Sequence, residues 1–280
     1  MSPHAADAVL RRHHVTVTGR GAQPVLFAHG FGCDQQMWRL VAPAFEPDHR
    51  VVRFDYVGSG RSDLSAYDPA RYATLDGYAR DVLDVVEALD LSDVVFVGHS
   101  VSAMVGVLAA NRAPGRFARL VLVCPSPRYL NDPPAYEGGW ERADIAGLLD
   151  LMERNDLGWA AALAPAVAGN PERPELAGEF HASFCASDPA ITRRFAEATL
   201  LADNRADLAG VRVPTLVLQT TDDLIAPAAV GEYVHRAIPG SALRVLGATG
   251  HAPQLSHPGE TIAAIRAYLD AAGRGGVAAA

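Results

Sequence analysis

The feature that most constrains this chain is a series of short, nearly unbroken apolar runs, each followed by a helical pattern. Val25-Leu26-Phe27-Ala28, Val51-Val52-Arg53-Phe54, Val94-Val95-Phe96-Val97, Leu120-Val121-Leu122-Val123 and Thr215-Leu216-Val217-Leu218 are of this kind, and another apolar strand is expected around Leu243 to Leu246. A strand with one wet face alternates apolar and polar side chains. A strand buried on both faces need not, so such runs suit a parallel sheet covered by helices. Between them, Leu75, Tyr78, Ala79, Val82, Val85, Val86 and Leu89 recur at helical spacing, with Thr74 as the expected N-cap. A last helix is expected from about Pro258 to Ala271, with Ile262, Ile265 and Leu269 on one face. The alternation predicts an α/β fold with a mostly parallel, doubly wound sheet.

The alternation stops between residues 127 and 201, where the pattern is helical, as in Ala143 to Arg154. Such a block between two sheet strands reads as an inserted helical cap. The expected organisation is a core of residues 1–126 and 202–272, a cap of residues 127–201, and a flexible Gly/Ala-rich tail at 273–280. Most cap aromatics (Tyr129, Tyr136, Trp140, Trp159, Phe180, Phe184, Phe195) are expected to hold the cap together, and a few to line a pocket.

Composition excludes several functions. With 49% apolar residues the chain can bury a large core, and a 20% charged share is too low for disorder. A net charge of −8 argues against nucleic acid, which needs a basic face. Cys33, Cys124 and Cys185 are far apart and form no CxxC, which fits reduced thiols in a cytosol. Met1 to Arg12 carries no apolar segment of signal-peptide length, and no apolar run nears the roughly 18 residues of a membrane span. The expectation is a cytoplasmic protein with no membrane or nucleic-acid partner.

Four loops carry chemistry. Gly98-His99-Ser100-Val101-Ser102 follows one apolar run and precedes a helical pattern. A strand, a sharp turn and a helix are what a nucleophile elbow requires; the strained turn demands small neighbours, and Ser102 stands where the usual pattern has a second Gly. His29-Gly30-Phe31-Gly32 follows another run. Its Phe31 N–H, with that of Val101, would bind an oxyanion. Thr221-Asp222-Asp223-Leu224-Ile225-Ala226-Pro227 places two competing carboxylates after a strand; Asp223 is the choice for orienting an imidazole, leaving Asp222 to a turn. Gly250-His251-Ala252-Pro253 lies after the last strand. An imidazole titrates near neutrality, so His251 is the candidate base among ten histidines. The order Ser100, Asp223, His251 is the Ser, acid, His order of one fold. Asp55-Tyr56-Val57-Gly58-Ser59-Gly60-Arg61-Ser62 lacks the Lys of a phosphate loop and reads as structural. No His/Cys cluster has metal-ligand spacing, and no cofactor is implied.

These residues resemble the α/β-hydrolase superfamily, and within it the RsbQ-like branch that also contains the plant strigolactone and karrikin receptors. Gly98 to Met104 and His29 to Gly32 resemble the elbow and oxyanion turn of that branch. Ser126 to Trp140, Phe184 to Pro189 and Asp222 to Pro227 resemble its RsbQ-like members most. The resemblance runs from about Val15 to Leu269. It implies a four-helix, V-shaped cap over a mostly apolar pocket, with Ser100, Asp223 and His251 as the triad. It places Tyr129 and Trp159 among the pocket aromatics; Phe31 and, from helical position, Phe195 complete the expected lining. It implies a serine hydrolase for small hydrophobic esters or lactones or, alternatively, a ligand-dependent regulator of stress signalling with slow hydrolase activity. With the latter comes a PAS-containing phosphatase as partner. Haloalkane- and epoxide-cleaving relatives are disfavoured, because they carry Asp at the position of Ser100.

Overall fold

The structure, a computed structural model, describes residues 2–154 and 157–275. Its strands are β1 (Thr16–Thr18), β2 (Pro24–Ala28), β3 (Arg50–Arg53), β4 (Val94–His99), β5 (Phe117–Val123), β6 (Thr215–Asp222) and β7 (Ala242–Thr249). Its helices are α1 (Pro3–Arg12), α2 (Leu75–Ala88), α3 (Val101–Arg112), α4 (Arg142–Glu153), α5 (Gly158–Ala168), α6 (Pro174–Ala186), α7 (Pro189–Leu200), α8 (Arg205–Leu208), α9 (Ala228–Ala237), α10 (Pro253–Ser256) and α11 (Pro258–Gly275).

The strands form one sheet in the order β1-β3-β2-β4-β5-β6-β7. All neighbours are parallel except β1, which pairs antiparallel with β3. From β2 the chain winds first to β3 and then back across to β4. The strand order therefore reverses between β2 and β4, and the carboxyl ends of those strands open a crevice where ligands bind in sheets of this kind. Ala28 is in register with Gly98, so the loops after β2 and β4 emerge side by side.

Successive residues of each central strand feed opposite faces. Val25 and Phe27 join a core with Trp38, Val95, Val121 and Ile265, whereas Leu26 joins one with Phe96, Leu120, Val82 and Val105. Burying each such side chain contributes about 1.5–3 kcal/mol, which favours apolar residues at these positions.

The structure refines several expectations. β7 is an edge strand, and Val245 is left exposed there. The short β1 carries no apolar run and was not foreseen. Thr74 does occupy the N-cap of α2, but its side chain makes no capping hydrogen bond. α11 continues through Gly275, so three residues of the expected tail are helical; the rest, 276–280, lies outside the described residues. Asp55 holds its Gly-rich loop by accepting N–H bonds from Gln35 and Arg61, both at 2.9 Å. Between β5 and β6 stand the four helices α4 to α7 and the short α8. The three cysteines are free. Among the described residues no helix is long and apolar enough to cross a membrane.

Candidate active site

Ser100 sits between β4 and α3 with φ 57° and ψ −122°, a backbone conformation that costs a non-glycine residue energy. Its N–H donates to Val123 C=O at 2.8 Å, which pins the turn to β5. A Cβ on Gly98 would lie 2.5 Å from the Ser102 carbonyl oxygen, so the turn closes only around a hydrogen. Ser102, in place of a second glycine, is fully buried and used: its hydroxyl donates to His29 C=O and pairs with the Tyr56 hydroxyl at 2.8 Å. It thereby ties the elbow to the strand end that leads into Gly30 and Phe31.

Ser100 Oγ lies 2.7 Å from His251 Nε2, and His251 Nδ1 lies 2.7 Å from Asp223 Oδ2. The other carboxylate oxygen, Oδ1, accepts the N–H groups of Ile225 at 2.8 Å and Ala226 at 3.0 Å. Burial alone would raise the Asp223 pKa, but the facing His251 and these two N–H donors outweigh it and hold the carboxyl below its ordinary value. The neighbouring Asp222 is exposed at the end of β6, and its carbonyl accepts Gly250 N–H at 2.7 Å. The adjacent aspartates are thus separated at the end of β6, Asp222 exposed and Asp223 buried against His251.

The Phe31 turn abuts the serine. A Cβ on Gly30 would sit 3.5 Å from Ser100 Cβ and 2.6 Å from His99 Nδ1. No hydrogen bond to the N–H of Phe31 or of Val101 occurs among the described residues. These are the two donors that an oxyanion would need.

Other side chains join the site, and of these only Tyr129 was expected at the pocket. His99 Nε2–H donates to His251 C=O at 2.7 Å, and burial pushes its pKa down to about 3, so the ring stays neutral. The Tyr129 hydroxyl reaches Ser100 Oγ at 3.2 Å, and burial raises its pKa, which keeps the phenol protonated. Trp140 Nε1–H donates to Ile225 C=O at 3.1 Å, linking the segment before α4 to the Asp223 loop. The Ser183 hydroxyl of α6 donates to Gly32 C=O at 2.6 Å, and the Phe184 ring packs where a Gly32 side chain would lie. In the sequence His99 was visible only as a member of the elbow motif. Tyr129 was implied by the resemblance, and the others depend on long-range packing.

These groups face an enclosed cavity of about 50 Å³, lined by Phe31, Ser100, Tyr129, Trp140, Leu163 and Phe180 among others. Phe31 and Tyr129 line it, as anticipated. Trp159 and Phe195 do not: Trp159 stands behind Phe31 and Phe184, with ring centroids 6.3 and 5.3 Å away. Phe195 stacks on Tyr78 at 4.2 Å, where α7 packs against α2. Both are 95% or more buried, Phe195 against protein and Trp159 partly beside a separate small pocket with Met152 and Thr192.

Two groups of potential metal donors occur among the described residues: Cys124, Asp223 and His251, and His13, Asp81 and Asp84. In the first, Asp223 and His251 bond each other, and burial holds the Cys124 thiol protonated. In the second, Arg71 already bridges the two aspartates at 2.7 and 2.8 Å. Neither donor set is free to take an ion without displacing these bonds.

A sequence model of the alpha/beta hydrolase family matches residues 25–265. The chain belongs to the α/β-hydrolase family. It is 38% identical to the strigolactone esterase D14 of Arabidopsis thaliana, over 93% of this chain and 97% of that one. It is equally 38% identical to the karrikin insensitive 2 receptor CA of Petunia hybrida, over 92% of this chain and 95% of the relative. A solved hydrolase from Oleispira antarctica superposes with a TM-score of 0.93 at 41% identity, covering 95% of this chain and 97% of its own.

Proposed function

We propose that this protein is a serine hydrolase that cleaves an ester or lactone bond in a small, uncharged, apolar molecule through an acyl-enzyme. One observation carries the reading: a continuous relay from Ser100 Oγ through His251 to Asp223, at 2.7 Å per step, opens on an enclosed apolar cavity. In this reading Ser100 attacks the carbonyl carbon while His251 Nε2 takes its proton. Asp223 keeps the remaining proton on Nδ1 and stabilises the imidazolium. The tetrahedral oxyanion accepts the N–H groups of Phe31 and Val101. His251 then returns the proton to the leaving alkoxide, and a water activated by the same imidazole releases the acid. Exclusion of water by the cavity strengthens the oxyanion contacts.

The division of labour follows the chain: residues 1–126 and 202–272 form the catalytic core, and residues 127–201 the cap. A cytoplasmic location goes with the free thiols.

A regulatory reading is favoured by the name of one relative, a karrikin insensitive 2 receptor, and by a serine that is only 5% exposed. Under it, hydrolysis is slow, ligand binding changes the cap, and a PAS-containing phosphatase is the partner. Turnover separates the two readings. The test is kcat/KM on short p-nitrophenyl esters against a charged analogue of similar size, with a fluorophosphonate label on Ser100. Fast hydrolysis of the uncharged esters, and labelling abolished by Ser100→Ala, are expected. Labelling that survives Ser100→Ala, or equal rates on the charged analogue, overturns the assignment.

A further inference from the structure

The loop that carries His251 is held from above by the end of a cap helix. His251 N–H donates to Val167 C=O at 2.9 Å, in the last turn of α5. The chain leaves that turn through Gly169, at φ +58°, whose added Cβ would lie 2.3 Å from Gly250 Cα. Gly250 in turn has φ +82°, and a Cβ there would lie 2.1 Å from the Ala168 carbonyl oxygen. Two backbones therefore touch beside the base, with no side chain between them.

Asn170 follows this contact and is 5% exposed. Its Nδ2 donates to Ala168 C=O at 2.6 Å and to Thr249 C=O at 3.1 Å, and its Oδ1 accepts the Thr249 hydroxyl at 3.3 Å. One amide thus fixes the last carbonyl of α5, that of Ala168 next to Val167, and clamps it to the residue two before His251. Resting on the serine-hydrolase reading, we infer that Asn170 is a positioning residue for His251: it holds Val167 C=O where it receives the His251 N–H, and so sets the reach of Nε2 to Ser100 Oγ. A buried amide with three satisfied bonds is expensive to maintain unless its partners need fixing. Displacing a base by a fraction of an ångström is enough to cost catalysis.

Asn170→Ala is expected to lower kcat on p-nitrophenyl acetate by about tenfold with KM within about twofold, as for a group acting only in the transition state. The second-order rate of fluorophosphonate labelling at Ser100 should fall in parallel, while the melting transition stays cooperative. Thr249→Val removes the hydroxyl that meets Oδ1 and should lose several-fold in kcat. Thr249→Ser keeps that hydroxyl and should restore it. This pair decides the matter if Asn170→Ala does not fold. A folded Asn170→Ala with unchanged kcat and labelling rate, a loss confined to KM, or Thr249→Ser no better than Thr249→Val overturns the positioning role. Wild-type protein that takes no label sinks the serine-hydrolase reading itself, an outcome distinct from any of these.

Discussion

Replacing Asp223 by Asn probes the site with almost no change in shape. Oδ1 accepts two backbone N–H groups, from Ile225 and Ala226, and Oδ2 meets His251 Nδ1. An asparagine has one acceptor oxygen and one donor amide. The two N–H donors claim the oxygen, because turning the amide toward them would oppose donor to donor twice. The amide then faces Nδ1 and donates to it, so the imidazole proton moves to Nε2. That nitrogen now points a proton at Ser100 Oγ, 2.7 Å away, and cannot accept one. On the precedent of other triads the loss in kcat is roughly 10⁴-fold, or about 5 kcal/mol of transition-state stabilisation. Asp222→Asn changes an exposed side chain whose residue contributes only its carbonyl, and kcat should stay within about twofold. Steady-state hydrolysis of p-nitrophenyl acetate by both variants, with melting curves to confirm folding, is the assay. A folded Asp223→Asn that keeps more than about a tenth of wild-type kcat, or an Asp222→Asn that is the more damaged, would refute the tautomer argument.

Gly32→Ala forces a side chain into the left-handed region at φ +67° and to 2.4 Å from the Phe184 ring; by shifting the neighbouring Phe31 N–H it should cut kcat ten- to a hundred-fold, on the order of losing part of one oxyanion donor, and unchanged kcat in crystals showing the turn in place would count against that donor. His13 is buried and burial lowers its pKa to about 4, while His99 is lowered to about 3. Their unfolded forms protonate near 6.5, so the stability these two histidines contribute is full above about 6.5 and falls as pH drops toward 4, opposed by Asp81, whose pKa burial raises to about 6. The His13 share is about 3 kcal/mol at most, and His13→Gln should flatten the dependence of the melting temperature; an identical slope in that variant would exclude His13 as a source. Phe195→Ala should cost about 3–5 kcal/mol of stability yet leave the ranking of ester substrates unchanged, whereas Leu163→Ala, at the cavity wall, should raise the relative rate on longer acyl esters; the reverse pattern would mean that the lining has been assigned to the wrong side chains.

What could be read in advance follows from how each role is specified. Ser100, Phe31, Asp223 and His251 stand on loops at strand ends, and the sheet order places those ends together whatever lies above. Their strands announce themselves because a strand buried on both faces can carry little but apolar residues. β1 and β7 lie at the edges, where that demand lapses, so β1 gave no signal. The block between β5 and β6 was legible as helical, with four helices implied by the resemblance, but its rotation was not. Trp159 and Trp140 are equally aromatic, and only packing decides that Trp140 meets the cavity while Trp159 stands behind Phe31. Phe195 has helical spacing consistent with either side of α7, and the stack on Tyr78 takes it. The same holds for Asn170, whose partner Thr249 lies 79 residues away.

The cavity beside Ser100 is small enough to impose an order on events. Its walls are mostly apolar side chains, which leave little space beside a bound substrate. While an acyl group sits on the serine, the hydrolytic water must take the space that the departing alcohol leaves. Alcohol and water therefore compete for one berth, and the acyl-enzyme has two fates: onward to the acid, or back to an ester. Short alcohols added to the medium would fit that berth as well as water does. If hydrolysis runs through an acyl-enzyme on Ser100, added methanol should divert part of the product from acid to methyl ester.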